Sequence, residues 1–165
     1  MEIVSTRLMG GLGNIMFQIA TAYSVSLRDN KEMICDTRDM MIPHKPYTFY
    51  LDNIFRKVKF SRELSNQTHI GEGGFHYVPI PKINGNVKLI GHFQSEKYFI
   101  DHKNELLDLF KIDENTKTKL FENYGNILNQ DTCSIHVRRG DYLGLQNHHP
   151  IPVSYTHLTL PTILR

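Results

Sequence analysis

Cysteine is scarce in this chain of 165 residues, with only Cys35 and Cys133 present. They stand far apart with no metal-type spacing around either, so neither a disulfide framework nor a zinc site is indicated, and a reducing compartment fits best. No stretch approaches the ~18 consecutive apolar residues of a membrane span, and Met1 to Gly13 lack a charged start followed by a long apolar stretch. These features describe a soluble protein without a spanning anchor. Nor is there a long basic run. The 19 Lys and Arg nearly balance the 17 Asp and Glu, for a formal charge of +2, which argues for a small-molecule partner over nucleic acid or an anionic membrane. An Asp-x-Asp pair, the simplest carboxylate device for holding a divalent ion on a diphosphate, does not occur. A Gly-x-Ser-x-Gly elbow and a P-loop are missing too, which removes the commonest hydrolase and nucleotide-hydrolysing readings.

The chain does have 40% hydrophobic residues, enough for the core of one ordinary domain or the better part of two. Ile3-Val4 and Leu8-Met9 read as a strand leading into Gly10-Gly11-Leu12-Gly13, with Asn14 where a helix cap should stand. From Ile15, the residues Met16, Ile19, Ala20, Tyr23 and Leu27 recur at helical spacing until Asp29-Asn30. Met33-Ile34-Cys35 then reads as a second buried strand with Asp36 at its carboxyl end, completing a βαβ unit with a parallel sheet. Between Pro43 and Asn86 the pattern dissolves into loops and short helices. Order returns with a strand at Val87-Lys88-Leu89-Ile90, an exit through Gly91 to Phe99 into a helical turn, and two helices. Asp101 is expected to cap the first, which carries Leu106, Leu107 and Phe110; Asp113 is expected to cap the second, with Gly125 closing it. A last strand runs from Thr132 to Val137. Strands alternating with helices predict an α/β protein, with a boundary near Gln130 that starts a second α/β domain.

Two motifs carry chemistry. In Gly10-Gly11-Leu12-Gly13-Asn14 the glycines let the backbone approach a ligand, and the helix start offers free amide donors; a purely structural tight turn accounts for the same residues. As a dinucleotide fingerprint the loop fails, because the third glycine falls on Met16, although Asp36 lies at a tolerable distance for a ribose contact. The second motif is His136-Val137-Arg138-Arg139-Gly140-Asp141-Tyr142, where two guanidiniums sit as an apolar strand gives way to a glycine turn. A strand-end Arg can grip a diphosphate through paired hydrogen bonds and neutralise charge as it leaves, which would make a metal ion dispensable. Strand alternation puts His136 and Arg138 on one face and Arg139 on the other. Asp141 can orient an Arg or cap the next segment; the bland alternative is a structural Arg-Asp network. His148-His149 reads as a solvated loop, and His92 and His102 as polar surface residues.

Three ordered blocks, Gly10 to Ala20, Gly91 to Phe99 and His136 to Tyr142, resemble those of the α-1,2-fucosyltransferases of glycosyltransferase family 11. The likeness runs from Ile3 to about Pro150 and departs from the family at Ile15 and Ile19, where Gln and Tyr are frequent. It implies a GT-B-like architecture in which residues 1–130 form a Rossmann-like acceptor-side domain and residues 131–152 begin the GDP-fucose-binding domain. It also implies inverting, metal-independent transfer of fucose from GDP-fucose to the 2-hydroxyl of a terminal galactoside, with no cofactor, in the cytoplasm or peripherally at a membrane. On that resemblance Arg138 stabilises the departing phosphate. His136, Gly140 and Asp141 shape its pocket, Arg139 braces it, and Gly11, Gly13 and Asn14 line the cleft from the other domain. Asp141 is one candidate for the base that deprotonates the acceptor.

The stretch Val153-Ser154-Tyr155-Thr156-His157-Leu158-Thr159-Leu160-Pro161-Thr162 alternates like a strand, yet it resembles the translation of a transposon-type sequencing adaptor, which makes 153–165 a non-native tail; a genuine short tail is the bland alternative. The natural chain is therefore expected to continue beyond about Pro152, and this polypeptide alone is expected to be inactive. Two rival readings stand beside this one. A nicotinamide-binding Rossmann oxidoreductase would rest on Gly11, Gly13 and Asp36. A non-catalytic carbohydrate-binding module would rest on Tyr47, Phe49, Tyr50, Phe75 and Tyr77 stacking on sugar faces.

Overall fold

A computed structural model describes residues 1–41, 46–64, 66–74 and 76–132. The apolar start forms β1 (Ile3–Met9), and the helical periodicity forms α1 (Leu12–Asp29), which stops where Asn30 turns left-handed at φ 54°. Five strands follow: β2 (Glu32–Met33), β3 (Cys35–Met41), β4 (Phe60–Ser61), β5 (Thr68–Gly71) and β6 (Val87–Ile90). Then come α2 (Lys103–Leu109) and α3 (Glu114–Leu128). Among the described residues every strand pairing is parallel, in the order β4-β3-β1-β6-β5, with β2 added on β1. The expected α/β class and parallel sheet are what the chain adopts, and the arrangement is consistent with a Rossmann-like fold. Two compact units divide it, Met1–Lys119 and Leu120–Arg165; the whole sheet, α1 and α2 belong to the first. Among the described residues no helix is long and apolar enough to cross a membrane.

Register explains the core. Alternation along β1 separates Val4 and Leu8 from Ser5 and Arg7. Val4 pairs with Val87, and the buried stripe of α1, including Ile15, Ile19 and Ala22, joins Val4, Leu8, Val87 and Leu89 in one cluster. Each Val, Leu or Ile side chain among these contributes about 1.5–3 kcal/mol on full burial. The opposite set is polar: Ser5 pairs with Lys88 and Arg7 with Asp36, and Ser5, Lys88 and Asp36 are all buried.

Several local expectations change. Asp36 is the second residue of β3 and not the end of a strand, because pairing of β3 with β1 continues to Met41. The region 43–86, expected to hold loops and short helices, also holds β4 and β5. These are half-exposed or exposed edge strands of two and four residues, too short to show an alternating pattern. Asp101 lies in a 3-10 turn (Ile100–His102), so His102 and not Asp101 precedes α2. Asp113 does cap α3, accepting from Thr116 N–H at 2.9 Å and Thr116 Oγ1 at 2.6 Å. Gly125 does not close that helix. A lone glycine costs only about 1 kcal/mol, and its carbonyl keeps the bond from Asn129 N–H at 3.1 Å.

Candidate functional site

From β1 the chain crosses to β3 on one side, while β6 flanks β1 on the other. The carboxyl edge between β1 and β6 is therefore the topological switch point, where open parallel sheets receive ligands. Two loops meet there: the β1–α1 turn through Gly10 and Gly11, and the segment Gly91 to Gln94 that leaves β6.

The first loop turns sharply because Gly10 sits at φ +80°, where an added Cβ would lie 2.4 Å from Asn14 Nδ2. Gly11, extended at φ −79° and ψ 176°, is the actual N-cap, with no side-chain cap bond. Asn14 is thus the third residue of α1 and not its cap. Its Oδ1 accepts from Gln94 Nε2 at 2.7 Å, tying the first loop to the second. Gly13 is exposed, and a Cβ placed on it would meet nothing within 4 Å, so the backbone there is open to close approach.

Beneath this rim lies Gln18, fully buried on α1. Its Oε1 accepts from Met9 N–H at 2.9 Å and its Nε2 donates to Met9 C=O at 3.0 Å, replacing a ladder partner at the end of β1. The same Nε2 stands 3.4 Å from His92 Nδ1. Glu72, one residue past β5, accepts the His92 and Phe93 amides on its two oxygens, at 2.7 and 3.0 Å. That clamp holds Phe93 in a left-handed conformation at φ 51°, its ring buried edge-on against Tyr98. At Gly91 a Cβ would meet Glu72 Cβ at 2.4 Å, so only glycine permits this approach. His92 is consequently half-buried and fixed by contacts on both its backbone and its ring, which corrects its reading as a polar surface residue.

The polar sheet face holds the other ionic cluster. The Asp36 carboxylate meets Arg38 Nη2 at 2.6 Å and Lys88 Nζ at 3.0 Å, and it also accepts from the Arg38 amide at 3.0 Å. Burial alone would raise this carboxyl; the Arg38 bonds and the Lys88 ammonium reverse that and hold it well below the usual carboxylate range. A carboxylate with no exposed surface and these partners is not placed for a ribose contact, which removes one support of the oxidoreductase reading. The carbohydrate-module reading also weakens. Tyr47 packs on Phe60 at 4.8 Å, Tyr50 on Phe55 at 5.7 Å and Tyr77 on Tyr98 at 4.9 Å, so these rings serve one another, whereas Phe49 meets the Tyr50 ring edge-on at 5.2 Å and stays exposed. Phe75 lies outside the described residues.

His136, Arg138, Arg139, Gly140 and Asp141 likewise lie outside the described residues, as do Cys133 and His148-His149. Of the anticipated site residues, the structure brings Gly11, Gly13 and Asn14 to the switch point. Gln18, Glu72, His92 and Gln94 were not anticipated there. Gln18 had one sequence signal, a polar residue inside the apolar stripe of α1 between Ile15 and Ile19.

The fold and site are those of a Rossmann-like sheet whose glycine loop opens the carboxyl edge. The chain is similar to an alpha-1,2-colitosyltransferase of Escherichia coli, with 32% identity over 171 aligned positions that take in 87% of this chain and 56% of that protein. The match thus spans little more than half of the relative's length, and it supports a glycosyltransferase. No family model and no solved structure matches the chain.

Proposed function

We propose that this chain is part of an inverting glycosyltransferase that moves fucose from GDP-fucose to the 2-hydroxyl of a terminal galactoside. The observation that carries sugar transfer is the 32% identity to an alpha-1,2-colitosyltransferase, over a stretch that takes in 87% of the chain; the fucose donor and galactoside acceptor rest on the resemblance of the three blocks Gly10 to Ala20, Gly91 to Phe99 and His136 to Tyr142. In this proposal a GT-B pair of domains closes over the donor, and the polypeptide that acts extends beyond the residues described. The acceptor oxygen attacks the anomeric carbon while its proton passes to a carboxylate base; the bond from that carbon to the diphosphate breaks, and GDP departs. Arg138 neutralises charge on the departing phosphate, where a preorganised donor acts mainly on the transition state. His136, Arg139, Gly140 and Asp141 complete the pocket, while Gly11, Gly13 and Asn14 line the acceptor side. Arginine in place of a divalent ion makes the transfer metal-independent.

The name of the relative favours a second transferred sugar, colitose, which is fucose without its 3-hydroxyl; by analogy with the first reading we propose its GDP derivative as the donor to compare. The test presents the complete coding sequence's product with lactose and equal amounts of the two GDP-sugars. Preferred consumption of GDP-fucose supports the first reading, preferred consumption of the colitose donor the second, and transfer from neither overturns both.

A further inference from the structure

The transfer step as proposed leaves His92 unused, yet both its backbone and its ring are held at the switch point. Gln18 is the reason. Its amide cannot be flipped, because Met9 N–H at 2.9 Å requires an oxygen and Met9 C=O at 3.0 Å requires a nitrogen. The group facing His92 Nδ1 at 3.4 Å is therefore an N–H donor. A ring nitrogen facing a donor must present its lone pair, and in neutral imidazole the other nitrogen then carries the proton. Glu72 meets His92 through the backbone amide at 2.7 Å, with its other oxygen on the Phe93 amide, so the ring contact that sets the tautomer is the one to Gln18.

We propose that Gln18 locks His92 as the Nε2–H tautomer, and that this N–H donates to a hydroxyl oxygen of the acceptor sugar that does not itself react. The proposal rests on the sugar-transfer reading and adds an acceptor-specificity residue to it. The chemistry selects the ligand atom. An Nε2–H in this tautomer has no lone pair with which to take a proton, so His92 is not the base for the attacking hydroxyl. Donation to the attacking oxygen would also lower its nucleophilicity, which leaves a neighbouring hydroxyl as the productive partner. The rim of the same switch point fits a neutral polyol: Asn14 and Gln94, on the two loops that meet there, are uncharged, bridged to each other at 2.7 Å, and part-exposed or exposed.

The experiment has two arms on the complete protein. Long-range proton–nitrogen correlation spectra of the His92 ring read the tautomer directly; a bare Nδ1 and protonated Nε2 are expected, and a protonated Nδ1 overturns the proposal whether or not the protein transfers sugar. Steady-state kinetics with lactose and its monodeoxy-galactose analogues then compare wild type with His92→Ala and His92→Gln. One neutral hydrogen bond corresponds to about a 5- to 10-fold rise in acceptor KM, with donor KM unchanged, partial rescue by Gln, and one deoxy analogue on which wild type and His92→Ala behave alike. A change confined to donor KM, or discrimination retained against every analogue, overturns it. Should the alanine variant fail to fold, His92→Gln decides: it must discriminate less than wild type against one deoxy analogue, and unchanged discrimination overturns the proposal. Absence of any transfer, with the Nε2–H tautomer found, defeats the functional reading and with it the acceptor role, leaving the tautomer lock standing.

Discussion

Lys88 on β6 reaches across the central strand β1 to place its ammonium 3.0 Å from the carboxylate of Asp36 on β3. Both groups are buried, so the pair ties the two halves of the sheet beneath the polar face. Removing one partner of such a pair strands the other charge. Asp36→Asn is expected to destabilise the chain by about 3–5 kcal/mol, measured by denaturant unfolding at neutral pH.

The same carboxylate sets a pH dependence. Its native pKa lies below the unfolded value, so the native state binds fewer protons and the contribution is complete above the unfolded pKa of about 3.9. It is lost as pH falls below about 4 toward the native pKa. The difference in unfolding free energy between wild type and Asp36→Asn is therefore expected to be constant from neutral pH to about pH 4 and to shrink below it. A difference that grows on acidification would contradict the network.

Two glycines in one loop should behave oppositely. Gly10→Ala forces a Cβ onto a φ of +80° and into Asn14, and about 1–3 kcal/mol of destabilisation is expected. Gly13 lies inside α1 with open space around it, so Gly13→Ala is expected to stabilise the fold by roughly 0.5–1 kcal/mol. Thermal unfolding of both variants checks the signs. If ligand approaches the Gly13 backbone, the stabilised variant also loses activity.

Gln18→Leu keeps most of the volume but leaves the Met9 N–H and C=O without the partners they have now. Two orphaned backbone groups at about 1–3 kcal/mol each give an expected loss of about 2–6 kcal/mol. Hydrogen exchange at the Met9 amide should accelerate well before that of Val4 in the same strand.

Cys35 is fully buried, and burial, with Asp36 beside it, pushes its thiol up. Peptide-level mapping after treatment with a thiol-alkylating reagent is expected to find Cys35 unmodified in the folded protein and modified after denaturation.

Much of this arrangement was legible in the residues. The stripe from Ile15 to Leu27 is long enough to fix α1, Val87 to Ile90 is apolar enough to fix β6, and Asp113 is placed to bond Thr116 at the start of α3. What escaped depends on distance in the sequence. β4 and β5 gain their identity from neighbours in the sheet, and buried Asp36 finds a partner in Lys88, 52 residues away and two strands over. The glycine loop was legible as a turn, but its cap was misplaced, since the left-handed Gly10 shifts the helix start back to Leu12. Gln18 and His92 escaped for the same reason: their meeting spans 74 residues, and neither signals it alone.

The central claim, sugar transfer driven by a guanidinium on the leaving diphosphate, is tested most directly by turnover. Radiolabelled GDP-fucose and the corresponding colitose donor are each offered with lactose to the complete gene product, wild type and Arg138→Ala, after both are shown to be folded. The account expects glycoside formation from at least one donor by wild type and a loss of about 100-fold or more in the variant. Equal turnover by the two proteins, or none from either donor by wild type, would contradict it.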